Sequence, residues 1–561
     1  MKLFSRRFRA MSLALVVLVV LAGMPIYAQR AAEGLVSTED AGVAVVSAPV
    51  EEALNWADKM PELSSEQKAQ IDLWQDRVNL PGPARDLKAA DATDAATLDA
   101  STAAAAESTL AESASADKAP LAPGDAQLYR NVAFGGAIPA GYKSNVLEPS
   151  LGNGGKYIFY TGNWFAARSL DGGSTWSYVN AYNNMADFCC DQVAQYDKAR
   201  DMYLWLRQGI ANASGVGRFR LGVSTNNGAS FCNYDFFPTN TNGAWTNQWW
   251  DYPHIQLGAD FAYIAYNMFN ASDSWTRTVM LRFPLDALRN CAGFSYNYVA
   301  STAWFTFVPV QGADHVMHFA SNQPTSSPYN RISIWRWAEN STSVSQVINN
   351  VAAWTYGSNH QCGSASGNWM GRSSDRLLAG ARYSLHYANL NVNGRKVLGW
   401  WWNVQQGGNF TQPYIDGYAV YEDTLTQVGG AQGRPFIWSS SVCFGYPSVA
   451  ANVRGDLGIV MDYASSGDGW KPRVGYSIAD DYTNAPPGFT FFGVIASGAR
   501  PSDNKWGDYN TVRVFQPGQN NWVAAAHYIP GSTNCATCSA PVYFAFGRSR
   551  DYYNWSRWAS Y

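Results

Sequence analysis

The stretch Ser169-Leu170-Asp171-Gly172-Gly173-Ser174-Thr175-Trp176 has the residues of a tight turn between two antiparallel strands. A carboxylate such as that of Asp171 can accept hydrogen bonds from the N–H groups of a turn. The two glycines can adopt the positive φ angles that such turns require, and the ring of Trp176 can pack against the sheet. The stretch therefore predicts a β-hairpin within a larger antiparallel sheet.

Two further stretches repeat this pattern less closely. Ser224-Thr225-Asn226-Asn227-Gly228-Ala229-Ser230-Phe231 keeps the spacing with Asn226 in place of the acid. Ser549-Arg550-Asp551, ahead of Asn554 and Trp555, keeps only part of it. Copies of one hairpin at distant points of a chain indicate a repeated structural unit.

From about Asn131 onward, short apolar and aromatic runs alternate with Gly, Asn, Asp and Pro, which is typical of consecutive antiparallel strands. The start of a recurring unit is found at Glu148-Pro149-Ser150, Asp191-Gln192-Val193, Asp251-Tyr252-Pro253, Asp314-His315-Val316, Trp369-Met370, Gly445-Tyr446-Pro447 and Asp508-Tyr509-Asn510. Intervals of roughly 45 to 75 residues suit the blades of a propeller. We predict an all-β propeller of seven four-stranded antiparallel blades over residues 128–561, or of six if the Trp369 copy is an insertion.

At every specified position the first stretch matches S-x-D-x-G-x-T-W, the Asp-box, and the chain resembles the sialidase-like or BNR-repeat propeller superfamily. The resemblance implies that the Asp-box joins the two outer strands of a blade, so that Asp171 is structural. Sialidases use three arginines around the substrate carboxylate, a Tyr nucleophile paired with Glu, and an Asp acid/base. Their early Arg-Ile-Pro motif is absent, because the corresponding region reads Ala140-Gly141-Tyr142-Lys143-Ser144-Asn145.

The first residues have the pattern of an export signal. Basic residues precede an apolar run from Met11 to Leu21, and a cleavage site follows Ala28. The run is shorter than the ~20 residues of a spanning helix, so we predict a cleaved signal peptide over 1–28, a secreted protein, and no stable membrane insertion after cleavage. Residues 29–127 are rich in Ala, Ser and Asp, which predicts a largely disordered pro-segment or linker with one short helix over 64–78.

Eight cysteines in an exported chain predict disulfide bonds. Cys535 and Cys538 could close a local loop, whereas the adjacent Cys189 and Cys190 are expected to bond two different partners. A cysteine-based metal site is the less favoured alternative, because no second C-x-x-C pair is present. A net charge of -3 gives no basic surface for nucleic acid.

The starts of the repeats are expected to converge at the propeller axis, which defines the candidate site. The predicted catalytic residues are Asp251, Asp508, Tyr252, Tyr446, Tyr509 and Glu148. The predicted substrate-binding residues are Asp191, Asp314, His254, His315, Arg513 and Trp250. Neighbouring carboxyls can act as acid and base on a glycosidic bond, and exposed aromatic rings suit sugars.

These features predict a secreted, monomeric, carbohydrate-active propeller, with a glycoside hydrolase of sialidase-like type as the first hypothesis and a glycan or polysaccharide as partner. A non-catalytic glycan- or protein-binding propeller is the second hypothesis. A polysaccharide lyase is the third, suggested by Arg513 near Tyr509. No cofactor or metal ligand set is predicted, although converging acids leave Ca²⁺ as an alternative.

Overall fold

The computed structural model describes residues 40–49, 51–53, 109–111, 122–143, 147–325, 330–353, 360–363, 368–370, 376–387, 394–483, 489–501, 506–531 and 539–560. The strands of these residues form eight sheets, of which seven are the blades of a propeller and one is a two-stranded sheet. The first strands of successive sheets contact one another, and that of the seventh contacts that of the first, which closes a ring. The predicted seven-bladed propeller is confirmed. The predicted signal peptide and the helix over 64–78 lie outside the described residues.

Each blade is an antiparallel sheet that runs outward from the axis. Blades 1 to 3 consist of Ser150–Gly154, Tyr157–Thr161, Ala166–Ser169 and Ser177–Val179; Phe188–Asp197, Met202–Gly209, Phe219–Ser224 and Ser230–Phe236; and Gln248–Leu257, Phe261–Asn270, Trp275–Pro284 and Phe294–Ser301. Blades 4 to 6 consist of Val308–Pro309, Val316–Ser321, Arg331–Ala338 and Val344–Asn350; Leu377–Ser384, Lys396–Val404 and Tyr414–Tyr421; and Val442–Ala451, Leu457–Ser465, Arg473–Ala479 and Thr490–Ala496. Blade 7 consists of Thr511–Val514, Trp522–Tyr528, Ala540–Arg548 and Ala126–Ala133.

A few elements lie outside this pattern. Trp304–Phe305 pairs with Gln323–Pro324 in a separate small sheet. The described residues form three α-helices, which are Pro238–Thr241, Leu285–Arg289 and Tyr552–Ser560. Blade 5 has three strands among the described residues, so the predicted four strands per blade do not hold there.

Blade 7 is built from both ends of the chain. Its three inner strands come from the C-terminal part of the chain, and its outer strand, Ala126–Ala133, precedes blade 1 in the sequence. The outer strand begins two residues before the predicted boundary at 128. Because this pairing joins the first and last segments of the propeller, the ring is held closed by backbone hydrogen bonds.

Parts of the Ala-rich segment add strands to the blades, so the predicted linker over 29–127 needs correction where it is described. Asp40–Val46 pairs with the outer strand of blade 3, and Glu51–Ala53 pairs with that of blade 2. Thr109–Ala111 pairs in parallel with the outer strand of blade 6. Outer strands present unpaired N–H and C=O groups, and short apolar segments can satisfy them without building a core of their own.

The Asp-box hairpin has the structure that the sequence predicts. Asp171 lies between the third and fourth strands of blade 1, and its Oδ1 accepts hydrogen bonds from the N–H groups of Ser174 (3.0 Å) and Thr175 (2.8 Å). In blade 2, Asn226 Oδ1 accepts the equivalent bonds from Ala229 (3.1 Å) and Ser230 (3.0 Å). An amide therefore replaces the acid in the degenerate copy.

The partial third copy is not a hairpin. Ser549–Asp551 forms a 3-10 turn that leads directly into the helix Tyr552–Ser560. The outer position of blade 7 is filled by Ala126–Ala133, so no hairpin is needed to return the chain at this point.

Aromatic side chains fill the spaces between blades. The consecutive residues Trp400, Trp401 and Trp402 are all buried. Trp400 and Trp402 pack in the cluster shared with blade 4, while Trp401 packs in the cluster shared with blade 6. Alternation along a strand explains this, because neighbouring side chains point to opposite faces of the blade.

Three disulfides lie among the described residues. Cys189 bonds Cys190, so the expectation that these neighbours reach different partners is wrong. The other two join Cys232 to Cys291 and Cys362 to Cys443. Cys535 and Cys538 are outside the described residues.

Among the helices of the described ranges, none is long and apolar enough to cross a bilayer.

Candidate functional site

The first strands of the blades begin on one face of the propeller, which we call the site face. In blade 3 the pairing with the second strand shifts between Asp251 and His254, and in blade 6 it shifts between Gly445 and Ser448. Bulges of this kind re-aim side chains and are frequent next to active sites. The Tyr-Pro pairs of the sequence mark these two bulges.

The tyrosines at the bulges have strained backbones. Tyr252 has φ 55° and Tyr446 has φ 53°, in the left-handed region that bulky residues rarely adopt. Both rings are buried. Such strain persists where the surroundings over-determine it, which is common at functional sites.

Four carboxyls on the site face form what we call the acidic cluster: Glu148, Asp191, Asp251 and Asp508. Glu148 and Asp191 are each 1% exposed, and both carboxyl oxygens of Asp191 are buried without a hydrogen-bond partner among the described residues. Two neighbouring buried carboxyls cannot both be charged without a large cost in free energy. Burial first, and then the charge of Glu148, raises the pKa of Asp191 well above its usual value, so we assign the proton to Asp191.

Glu148 is held by Asn163. Its Oε2 accepts a hydrogen bond from Asn163 Nδ2 at 2.7 Å, and its own N–H donates to Asn163 Oδ1 at 2.7 Å. Burial, followed by the charge of Asp508, raises the pKa of Glu148 to about 7. Glu148 therefore takes up a proton as the pH falls through about 7.

Asp251 is the third acid, and it lies within the first strand of blade 3, Gln248–Leu257. Its Oδ1 accepts a hydrogen bond from Gln208 Nε2 at 3.1 Å. Burial, opposed by this bond and reinforced by the charge of Asp508, raises the pKa of Asp251 to about 6. The carboxyl can therefore hold its proton in mildly acidic solution.

Asp508 is paired with the arginine of the cluster. Its Oδ2 lies 2.5 Å from Arg376 Nη2, and the guanidinium carbon lies 3.9 Å from the ring centre of Tyr252. Burial lowers the pKa of Arg376, but the charges of Asp508 and Tyr252 outweigh it and raise that pKa.

The three predicted tyrosines form the floor of the cluster. Tyr509 donates from its hydroxyl to the Gln192 carbonyl across the axis at 3.5 Å, and its ring centre lies 6.1 Å from that of Tyr252. Burial raises the pKa of each of the phenols Tyr252, Tyr446 and Tyr509. The phenols are therefore neutral, which suits packing and hydrogen bonding.

The sequence did not point to several residues of this site. Arg376, Gln208 and Asn163 contact the acidic cluster, and Asp462 lies beside it with Trp506 Nε1 at 2.9 Å. Arg376 immediately precedes the first strand of blade 5, and a repeat start at Leu377 rather than at Trp369 would have pointed to it.

Two predicted residues lie far from the cluster. The first strand of blade 4 is Val308–Pro309, so Asp314 and His315 follow it instead of opening it. Asp314 Oδ2 pairs with Arg382 Nη2 at 3.0 Å, at the end of the first strand of blade 5 opposite to Arg376. The two residues therefore lie on the opposite face.

Trp250 belongs to the core instead of a sugar-binding surface. It is fully buried, and its Nε1 donates to the Phe236 carbonyl at 3.0 Å. Its neighbour Asp251 points to the site because the two side chains alternate.

His254 and Arg513 lie in the axis, below the tyrosine floor. They line a space of about 50 Å³, which we call the axial cavity, together with Gln311, Ser150, Ser448 and Thr511.

The Ca²⁺ alternative can be compared with the ligand geometry. Among the described residues, Asp260, His315 and Glu339 form the group of three whose ligand atoms lie within 4.8 Å of one another. The carboxyls of the acidic cluster do not form such a group, and Asp508 pairs with Arg376. The acidic cluster therefore does not fit a calcium site.

Comparison with known proteins finds solved structures that are distantly similar to this chain. No family model matches the chain, and no curated protein matches it. An α-L-arabinanase of Penicillium chrysogenum with bound arabinobiose is similar at 10% identity, over 76% of this chain and 98% of that one, with a TM-score of 0.34. The NanB sialidase of Streptococcus pneumoniae is similar at 9% identity, over 62% and 70%, with a TM-score of 0.37.

An intramolecular trans-sialidase of Ruminococcus gnavus is similar at 10% identity, over 63% of this chain and 98% of that one, with a TM-score of 0.37. This likeness is too low to assign the chain to a family, and the propeller is established by the chain's own strands.

Proposed function

We propose that this protein is a secreted glycoside hydrolase that cleaves a neutral glycan at the acidic cluster. The observation that carries the proposal is the contrast between Asp251 and Asp508. Asp251 has a pKa of about 6, while Asp508 is held by Arg376 at 2.5 Å. A carboxyl that can donate a proton and a second carboxyl in the same site are what hydrolysis of a glycosidic bond requires.

In the proposed reaction Asp251 is the acid and donates its proton to the glycosidic oxygen. Asp508 acts on the opposite side, either by attacking the anomeric carbon or by accepting a proton from the attacking water. The bond between the anomeric carbon and the oxygen breaks, and one water is consumed across it. Glu148 and Asp191 are nearly excluded from solvent and act as positioning residues, whose charge helps to set the pKa values of the cluster.

A neutral substrate suits the charges of the site better than a carboxylated one. Four carboxyls surround one described arginine, and Arg376 already pairs with Asp508. A sialic acid or uronate carboxylate would meet repulsion from the cluster, and the one arginine described there is already neutralised. The same point disfavours a lyase, because Arg513 lies in the axial cavity and not beside the cluster.

Export is part of the proposal. The disulfides Cys232–Cys291 and Cys362–Cys443 suit an oxidising compartment. A glycan partner outside the cell and a monomeric state remain predictions from the sequence.

The test is a screen of the purified protein against neutral and acidic oligosaccharides and aryl glycosides, with Asp251→Asn and Asp508→Asn beside the wild type. Asp314→Asn is the matched control, because it removes the same charge on the opposite face. We expect turnover of a neutral glycan that is lost in the first two variants and kept in the third. Glycan binding without turnover by the wild type would instead favour the binding-module hypothesis.

A further inference from the structure

Arg513 is a buried cation without a carboxylate partner among the described residues. It is 8% exposed, its Nε makes no hydrogen bond, and its Nη2 makes one long bond of 3.5 Å to the Ala194 carbonyl. A guanidinium offers five N–H donors, so most of them have no acceptor within the described part of the chain. Burial of an uncompensated charge is strongly unfavourable.

The axial cavity around Arg513 has no negative side chain among its described lining residues. Arg513 and His254 are the lining residues with titratable basic groups, and neither Asp nor Glu accompanies them. The carboxyls of the acidic cluster lie above the tyrosine floor, and none of them contributes to the lowered pKa of Arg513, about 10, which burial alone causes. The charge is therefore not balanced by the cluster.

His254 adds a second donor to the same cavity. Its Nε2 is buried and makes no hydrogen bond to any described residue. Burial, and then the charges of Arg376 and Arg513, lower its pKa to about 3, so the ring is neutral and can still donate from one nitrogen.

We propose that the axial cavity binds a small monovalent anion of halide size between Arg513 and His254. The volume of about 50 Å³ suffices, since one water needs roughly 10 to 15 Å³ of such space. The side-chain amide of Gln311 is not available to the ion, because it donates to the carbonyls of Val449 (2.7 Å) and Val512 (3.0 Å).

An entry path is present on the opposite face. Arg513, Gln256 and Gln311 also line a larger space of about 360 Å³, whose other lining residues include Gly312, Asn452 and Asp197. An anion can thus reach Arg513 without passing the acidic cluster, and the site does not depend on the proposed hydrolase activity.

The experiment measures the unfolding temperature in chloride, bromide and gluconate at equal ionic strength. We expect a saturating rise of at least about 2 °C in chloride or bromide, because a ligand of the folded state stabilises it. Arg513→Gln should abolish this rise and Arg513→Lys should keep part of it. Arg395→Gln, which removes an exposed arginine paired with Asp423, should leave it unchanged.

Anomalous diffraction from wild-type crystals grown in bromide provides a second measurement, which does not depend on the folding of a variant. We expect a bromide peak within hydrogen-bond distance of the Arg513 guanidinium. Equal unfolding temperatures in all three salts, or an axial cavity with no bromide peak, would overturn the proposal.

Discussion

Asp251 has the two properties that an acid catalyst needs: a raised pKa and a fixed orientation. Gln208 holds one carboxyl oxygen at 3.1 Å, and the pKa is about 6. We predict that Asp251→Asn lowers kcat on a natural glycan by roughly 10² to 10⁴-fold. On an aryl glycoside, whose leaving group needs no proton, the loss should be much smaller. Similar losses on both substrates would show that Asp251 is not the acid.

The pH dependence of the wild type should follow from the same carboxyl. As the pH rises through about 6, Asp251 loses its proton and kcat/KM on the natural glycan should fall. In Asp251→Asn this alkaline limb should disappear from the profile. A limb that persists in the variant would belong to another group.

The pair of Glu148 and Asp191 should make the folded state less stable at higher pH. Their pKa values are raised from 4.5 and 3.8, that of Glu148 to about 7. At a pH between the ordinary pKa and the raised pKa of a group, the folded state binds more protons than the unfolded state. The free energy of unfolding therefore decreases as the pH rises through that range.

Asp191→Asn should reduce this slope and stabilise the protein at pH 8. The gain is about 1.4 kcal/mol for each tenfold difference between the acid dissociation constants of Asp191 in the folded and unfolded states. Urea unfolding at pH 5 and pH 8 measures both effects, with the exposed Asp314→Asn as control. A steeper slope in Asp191→Asn would contradict the assignment of the proton.

At the residue scale, the sequence predicts the acids and tyrosines that open strands, since an acid or a Tyr-Pro pair stands out before an apolar run. It fails for Arg376, which has no such partner motif, and for Trp250, which points away from Asp251 by strand alternation.

The Asp-box hairpin allows a sharp test at the element scale. Asp171 accepts hydrogen bonds from the turn in blade 1, and Asn226 does the same in blade 2. Asp171→Ala should therefore lower the free energy of unfolding by about 1–2 kcal/mol, whereas Asp171→Asn should cost much less. Neither should change kcat, because the hairpin joins outer strands. Equal destabilisation by both changes would mean that the charge, not the acceptor, stabilises the turn.

Prediction of the elements succeeds where first strands are long and fails where they are short. Blades 3 and 6 have first strands of 10 residues, and the predicted starts fall within them. In blade 4 the first strand has 2 residues, so the sequence pattern favours the longer second strand, Val316–Ser321, in its place. This error is what puts Asp314 and His315 in the predicted site.

For the whole molecule, closure of the ring should decide whether the chain folds. A chain of residues 120–561 keeps the strand Ala126–Ala133, whereas a chain of residues 134–561 leaves blade 7 with three strands. We expect the first to unfold in one cooperative transition and the second to lose cooperativity. Thermal unfolding followed by circular dichroism compares them. Equal behaviour would show that the closing strand is dispensable.

The overall architecture can be predicted because seven repeats and one Asp-box agree across the chain. Three added strands cannot be predicted from the sequence, since their composition is that of a linker and the blade edges alone give them order. They are residues 40–46, 51–53 and 109–111, which join blades 3, 2 and 6.

The most direct measurement of the proposed activity is a crystal structure of Asp251→Asn with a neutral oligosaccharide that the wild type cleaves. We expect a glycosidic oxygen within hydrogen-bond distance of the side chain at position 251, with the anomeric carbon facing Asp508. An oligosaccharide bound away from the acidic cluster would contradict it.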